Sequence, residues 1–569
     1  MSNQFDLVLR GGTVVDGTGG APFEADVAIS AGLIAEVGPV SGRGREEIEA
    51  QGRLVIPGFV DVHTHYDAQA TWANELTPST ANGVTTLLMG NCGVGFAPVR
   101  SHQRDMLISL MEGVEDIPEV VLNEGLTWAW DSFPDYLDYL GNRRYDVDLA
   151  CQVPHAALRV YVMGERGARR EPATPEDCAA MAQLTAEGLA AGAFGFSTSR
   201  LLQHRTAAGE PVPSYGAAEA ELAAIADALR NSGHGWLQVV ADFGENQAEE
   251  FGLLERLAAR AQRPLTLTLL QRDSWPLEWR ELLSRIERAN AQGHRITGQV
   301  RGRPTSTLLG FELTRNPFAR CASWSDIALL PPSERRAAVL RPDLRARLLA
   351  EVDAYEAESP QARARWLQIF PLGDPPDYEP ELGSSIGARA EREGVSPAAL
   401  AYDAMCERGG RGILYHPTTN YSGGDMSAVY EMLGHPNTLV GLGDGGAHVG
   451  IMCDTTAMVH ALTHWTRDRT RGPRRPLEDM VRRLTAANAE AMGLHDRGVV
   501  ARGKKADLNV LDYDGLQLEM PEIHYDLPAG GKRLQQTSSG IEATVLSGVV
   551  VRRHGEPTGA LPGRLVRAC

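Results

Sequence analysis

From about Leu54 to Val440, short runs of Val, Leu and Ile alternate with helix-like stretches, and this alternation most limits the folds open to the chain. It favours parallel βα units over an all-β or all-α design. With 569 residues, 43% of them apolar, there is material for one large core and a satellite domain, because single cores stop growing near ~250–300 residues. An α/β chain folded as a TIM-like (β/α)8 barrel with additions fits that size, and no short-period repeat argues for a solenoid.

The chain ends read differently. FDLVLRGGTVVDGTGG and ADVAISAGLIAEVG alternate apolar and polar positions and break at glycines, as do Ala506–Asp514 and Gly540–Glu556. Such strands have one polar face and need a partner layer, so two sets at opposite ends predict one shared unit. We expect a small composite β-sandwich from residues 1–57 and 498–569 beside a barrel over 58–497, with two separate β-appendages as the alternative. Between about 305 and 410 the sequence turns to charged, Arg/Ala/Leu-rich helical stretches and a Pro-rich patch. That predicts an insertion placed to roof an active site, since barrel enzymes vary their loops while the strands keep the chemistry.

A formal net charge of −18 argues against partners such as nucleic acid or an anionic membrane surface, which require a concentrated positive field. MSNQFDLVLRGG lacks the basic and apolar regions of a secretory leader, and no apolar run reaches about 18 residues. The seven cysteines (92, 151, 178, 321, 406, 453 and 569) include no CxxC pair and read as reduced thiols. A cytoplasmic protein is the expectation.

The chemistry concentrates at three strand ends. In Ile56–Asp67 an apolar strand runs into polar residues, and strand alternation puts Asp61, His63 and His65 on one face. Two neutral imidazoles one strand-repeat apart can chelate one cation; a structural His pair is the plain alternative. The next apolar run, Gly83–Met89, leads into Gly90-Asn91-Cys92-Gly93, where Cys92 is either a thiolate ligand to the same ion or a small buried residue. Thr438–Leu442 ends in Gly443-Asp444-Gly445-Gly446. There Asp444 is either a turn residue or a metal ligand that also takes the proton of an activated water.

With these residues in view, the chain resembles the amidohydrolase superfamily and, within it, the N-acyl-D-amino-acid deacylase (D-aminoacylase) group. The resemblance runs through LVLRGGTVVDGTG, IPGFVDVHTHYD, GVTTLLMGNCG, VPHAALRVYVMGERGARREPAT, AAGAFGFSTS, GLGDGG and the closing LTAANAEAMGLHDRGVVARGKKADLNVLD. It implies a barrel with a composite sandwich, a divalent metal held by His63 and His65 with Cys92 as a further ligand, Asp444 as general base, and a homo-oligomer. His155 falls where the group has a strand-three histidine, in contact with substrate or with the ligands.

Two departures matter. The group carries ligand histidines at the ends of strands five and six, but Gly235–Asp242 and Pro264–Gln271 contain none; Asp242 or Gln271 is the positional substitute. No lysine stands near strand four, which ends in Ser199-Arg200, where relatives bridge two metals with a carbamylated lysine. One ion, most simply zinc, is therefore expected rather than two, on His63, His65, Cys92 and Asp444. Polar residues at the presumed mouth, Arg200, Tyr215, Arg301, Arg303, His416, Asn420, Tyr421 and His448, are candidates for binding a small-molecule substrate that carries a carboxylate.

The reading is a metal-dependent hydrolase of a C–N bond in an amide, cyclic amide or N-acyl (D-)amino acid. The alternatives are a non-hydrolytic lyase, decarboxylase or isomerase on the same barrel, and a catalytically silent binding protein.

Overall fold

In the computed structural model, which describes residues 4–568, eight parallel strands follow one another around a barrel. They are Phe59–Asp61, Val84–Met89, Asp148–Cys151 continued by Val153–Pro154, Gly195–Arg200, Trp236–Ala241, Leu265–Thr268, Ile296–Val300 and Thr438–Val440. Neighbours pair in parallel from the first to the third strand and from the third to the eighth. Closure comes between the eighth and the first: His65 N donates to Gly445 O at 2.7 Å and Asp444 N to His63 O at 3.1 Å. Below that seam the Asn488 amide donates to both Val60 O and Val440 O, at 2.7 and 2.6 Å.

Helices cover the outside because their apolar stripes have the strands to pack on. Glu278–Ala291 buries Trp279, Leu282, Leu283, Ile286 and Ala289 in this way. Pro175–Ala190 starts at a capping box between Thr174 and Asp177 with Pro175 in its first turn, which satisfies amides that have no partner within the helix.

Both chain ends share one nine-stranded sheet. Leu508–Leu511 lies antiparallel to Leu54–Pro57 and to Ile541–Leu546. The long first strand, Gln4–Val14, shifts register between Leu9 and Gly12, pairing with Arg43–Glu49 before the shift and with Leu54–Val55 after it. The sheet thus folds over its own core of Leu7, Leu9, Val27, Ile29, Val55, Val510 and Val545. Residues 517–539 depart from it: the hairpin of Glu522–Leu527 and Gly531–Gln535 reaches the barrel mouth, where Leu534 N donates to Val449 O.

The insertion lies between strands seven and eight. It holds a three-stranded sheet (Ser306–Leu309, Phe370–Pro371, Leu414–Pro417) and helices including Pro342–Glu358 and Pro397–Gly410. It has its own core around Phe311, Phe318, Trp324, Trp366 and Tyr402. It is tied to the barrel body by Glu379, buried against Arg469 and His464. No helix among the described residues is long and apolar enough to cross a membrane. The six described cysteines are unpaired, and Cys569 lies outside the described residues.

Candidate metal centre

The run Ile56–Asp67, expected as one strand, is divided. Leu54–Pro57 belongs to the sandwich and Phe59–Asp61 to the barrel. Gly58 sits between them, where a Cβ would come within 2.2 Å of Thr85 Oγ1. The two histidines therefore lie just beyond the strand, with Thr64 N still bonded to Leu88 O of strand two. The alternation persists far enough to turn both rings inward, their centroids 5.4 Å apart.

His63, His65 and Cys92 are buried, and one ligand atom from each lies within 4.8 Å of the others. His63 Nε2 is 3.2 Å from Cys92 Sγ. Asp444 Oδ1 is 3.7 Å from His63 Nε2 and 3.9 Å from His65 Nε2. Zinc bonded at its usual lengths in a tetrahedron holds neighbouring N and S ligand atoms about 3.4–3.6 Å apart, so these separations suit donors that surround a single ion.

The other ring nitrogens strengthen that fit. His63 Nδ1 is 2.7 Å from Gln299 Oε1, an acceptor, so Nδ1 carries the proton and the Nε2 lone pair faces the thiol and carboxylate. His65 Nδ1 is 3.3 Å from Glu115 Oε1. Among the described residues, His65 Nδ1, Glu115 Oε2, Asp61 Oδ2, Gln238 Nε2 and Gln299 Nε2 are buried without a hydrogen-bond partner. Such a concentration of orphaned polar atoms marks a place where a group is accommodated.

The electrostatics favour the ligand forms of the two imidazoles and of Asp444, and oppose that of Cys92. Burial holds both imidazoles below the ordinary histidine range, His65 further down because His63 stands beside it, so neither must shed a proton to bind a cation. Burial pushes the Cys92 thiol well up, with Glu115 and Asp444 adding to the effect, so a cation must displace its proton. Burial alone would raise Asp444, but the Arg301 guanidinium and the imidazoles outweigh it and hold the carboxyl well below its usual range. Arg301 bridges Asp444 Oδ2 and Asp454 Oδ2, and Arg303 holds Asp454 Oδ1 at 2.9 Å. Burial raises Asp61 to about 7.

The loop after strand eight is shaped by close contact. A Cβ on Gly443 would lie 2.0 Å from Asp61 Oδ2, which only glycine avoids. Asp444 adopts φ 46°, a left-handed conformation that aspartate tolerates better than most side chains.

Of the expected residues, the structure brings together His63, His65, Cys92, Asp444 and His448, whose Nε2 is 3.6 Å from Glu115 Oε2. His155 is elsewhere. Ser197 reaches the Cys92 turn through Gly93 N, so Thr198, one residue on, faces the opposite side of strand four. There His155 Nδ1 meets Thr198 Oγ1 at 2.8 Å and its Nε2 meets Glu221 Oε1 at 2.7 Å, between barrel and helix layer. Arg200 spends its guanidinium on Glu250 and Ala217 O. Tyr421 donates to Pro380 O and lines a groove of about 500 Å³ with Phe370, Leu382 and Pro417. His416 stands half-buried opposite Thr307 in the insertion sheet, and Tyr215 packs against the main core. Asn420 accepts from Gln271 N.

The two positional substitutes are also engaged away from the cluster: Asp242 accepts from Leu202 N and Gln271 from Ser422 N. What strands five and seven supply instead is Gln238, which accepts from Cys92 N at 3.0 Å, and Gln299. Each is the single side-chain amide of its strand, a signal legible in the sequence. His204 was not legible: it hangs on Ser199 Oγ at 2.9 Å and is pushed down to about 4 by burial, with His448 and His63 adding to the effect and Asp444 opposing it. Glu115, at the end of an ordinary amphipathic helix, carried no signal.

A family model described as an amidohydrolase family matches residues 46–552. N-acyl-D-glutamate deacylase from Alcaligenes xylosoxydans xylosoxydans is 28% identical over 574 residues, covering 100% of this chain and 97% of that protein. D-aminoacylase from the same organism is 36% identical over 198 residues, a match spanning 35% of this chain and 38% of that protein. Among solved structures, N-acyl-D-glutamate deacylase from Bordetella bronchiseptica, complexed with zinc and a phosphonate inhibitor, superposes with a TM-score of 0.66 at 23% identity over 100% of both chains.

Proposed function

Since the chain belongs to the amidohydrolase family, we propose that it is a metal-dependent hydrolase that cleaves the amide of an N-acylated amino acid, with the D series as first choice. What supports this reading above all is the meeting of His63, His65 and Cys92 at one buried point beside Asp444, with Gln299 bonded to the far nitrogen of His63 and Glu115 Oε1 3.3 Å from that of His65. The names of the full-length relative and of the structural neighbour favour the substrate class.

In this reading His63, His65 and Cys92 would hold one zinc ion, a three-ligand set of the kind found in catalytic sites. When bound, the cation would supply Lewis acidity toward the acyl carbonyl and toward the attacking water. Asp444 does the proton work. Its Oδ2 is committed to Arg301, which leaves Oδ1, the oxygen nearest the imidazoles, to take the proton of the attacking water and return it to the leaving nitrogen. His204 and His448 border the mouth and present polar nitrogens to the substrate. The charge of −18 and the unpaired cysteines support a cytoplasmic location, and family resemblance supports a homo-oligomer.

The test is metal analysis after zinc reconstitution, together with amine release from a panel of N-acyl D- and L-amino acids in oxygen-18 water. We expect one zinc per chain, release from D substrates and one labelled oxygen in the freed carboxylate. Absence of both metal and release sinks the proposal; product without solvent oxygen points to a lyase.

A further inference from the structure

The helix Arg104–Glu115 ends against the barrel mouth, and its last residue has a carboxyl side chain only 1% exposed. Glu115 Oε1 lies 3.3 Å from Nδ1 of His65, and Oε2 lies 3.6 Å from Nε2 of His448. The backbone reinforces this junction: His448 N donates to Glu115 O, and Gly450 N donates to Asp116 Oδ2 at 3.0 Å. One helix end thus grips the loop that follows Asp444 and, with the same side chain, faces the far nitrogen of a metal-cluster histidine. Among the described residues His65 Nδ1 is buried without a hydrogen-bond partner, and Glu115 Oε1 is the carboxyl oxygen that faces it.

We propose that Glu115 is a positioning residue: its carboxyl oxygen keeps the proton of His65 on Nδ1, aims Nε2 at the cation, and through His448 ties that ligand to the loop carrying Asp444. The inference rests on the metal reading above. Its chemical basis is that a histidine ligand is oriented by whatever its other ring nitrogen donates to. Without such a partner the ring turns and the tautomers mix, at a typical cost of 10–100-fold in metal affinity. Glutamine in the same place keeps one acceptor oxygen within the same volume, whereas alanine removes the contact to both imidazoles.

The experiment uses the full chain, stripped of metal and titrated with cobalt(II) alone. Affinity comes from chelator competition and ligand geometry from the visible d–d spectrum. E115A is expected to bind cobalt 10–100-fold more weakly than wild type with an altered spectrum, and E115Q to recover most of the affinity. In wild-type apoprotein, ring ¹⁵N correlations of His65 are expected to report the Nδ1–H tautomer, a readout that needs no variant should E115A fail to fold. A folded E115A with wild-type cobalt affinity, or an Nε2–H tautomer in the wild type, overturns the role of Glu115 alone. Wild-type protein that takes up no cobalt removes the metal reading, and this role with it.

Discussion

Replacing Arg301 with methionine removes the cation that two buried carboxylates share. The guanidinium side chain is 4% exposed, Asp444 11% and Asp454 1%. Asp454 keeps Arg303, so Asp444 bears the loss. Removing one partner of a buried pair costs roughly 3–5 kcal/mol, because the survivor stays desolvated and unpaired. Unfolding entropy near 2.1 cal/mol/K per residue gives about 1.2 kcal/mol/K for 569 residues, so R301M should lower Tm by about 3–4 °C at pH 7. The sign of the pH dependence follows from Asp444. Its folded-state pKa is depressed, so its contribution to stability is present above the unfolded value of about 3.9 and lost as pH falls through the folded one. In R301M that depression is gone and the carboxyl can take up a proton, so the gap between variant and wild type should narrow from pH 7 towards pH 4. The assay is scanning calorimetry or fluorescence melting of metal-free protein at both pH values. A gap under 1 °C at pH 7, or one that does not change with pH, refutes the view that Arg301 is there to balance the aspartates.

Three further outcomes are expected. Because a cation must displace the proton of the buried Cys92 thiol, zinc affinity of the wild type should rise with pH between 6.5 and 8.5, by up to about tenfold per unit, and that slope should vanish in C92S; equal slopes in equilibrium titrations would exclude the thiol as a ligand. D444N should lower kcat by about 10²–10⁴-fold with zinc content retained, measured by steady-state kinetics beside metal analysis; loss of the metal instead would make Asp444 chiefly a ligand. G443A places a Cβ against Asp61 and should cost about 1–3 kcal/mol, seen as a Tm drop of about 1–3 °C, together with loss of metal uptake.

The barrel was legible because its causes are local and repeated: apolar runs long enough to cross a core, separated by amphipathic helices with ordinary capping signals. The shared sheet was legible from the texture of both ends, but residues 517–539 were not, since a hairpin's pattern does not say which surface it will pack on. His63, His65, Cys92 and Asp444 announced themselves by residue type at strand ends. His155 misled because residue type and position along the chain carry no face; a one-residue step on strand four turned its partner Thr198 outward.

The sequence by itself determined the architecture and the residue types of the proposed donor set, since hydrophobic period and ligand chemistry belong to short segments. Only the tertiary structure decided what surrounds those donors. Glu115, Gln238, Gln299, Arg301 and His204 come from separate parts of the chain, and none of them shows where it stands which point its polar atoms will reach. They act on the centre solely because closing the barrel brings their polar atoms to the same dry interior, where a charge or a hydrogen bond counts for far more than it does in water.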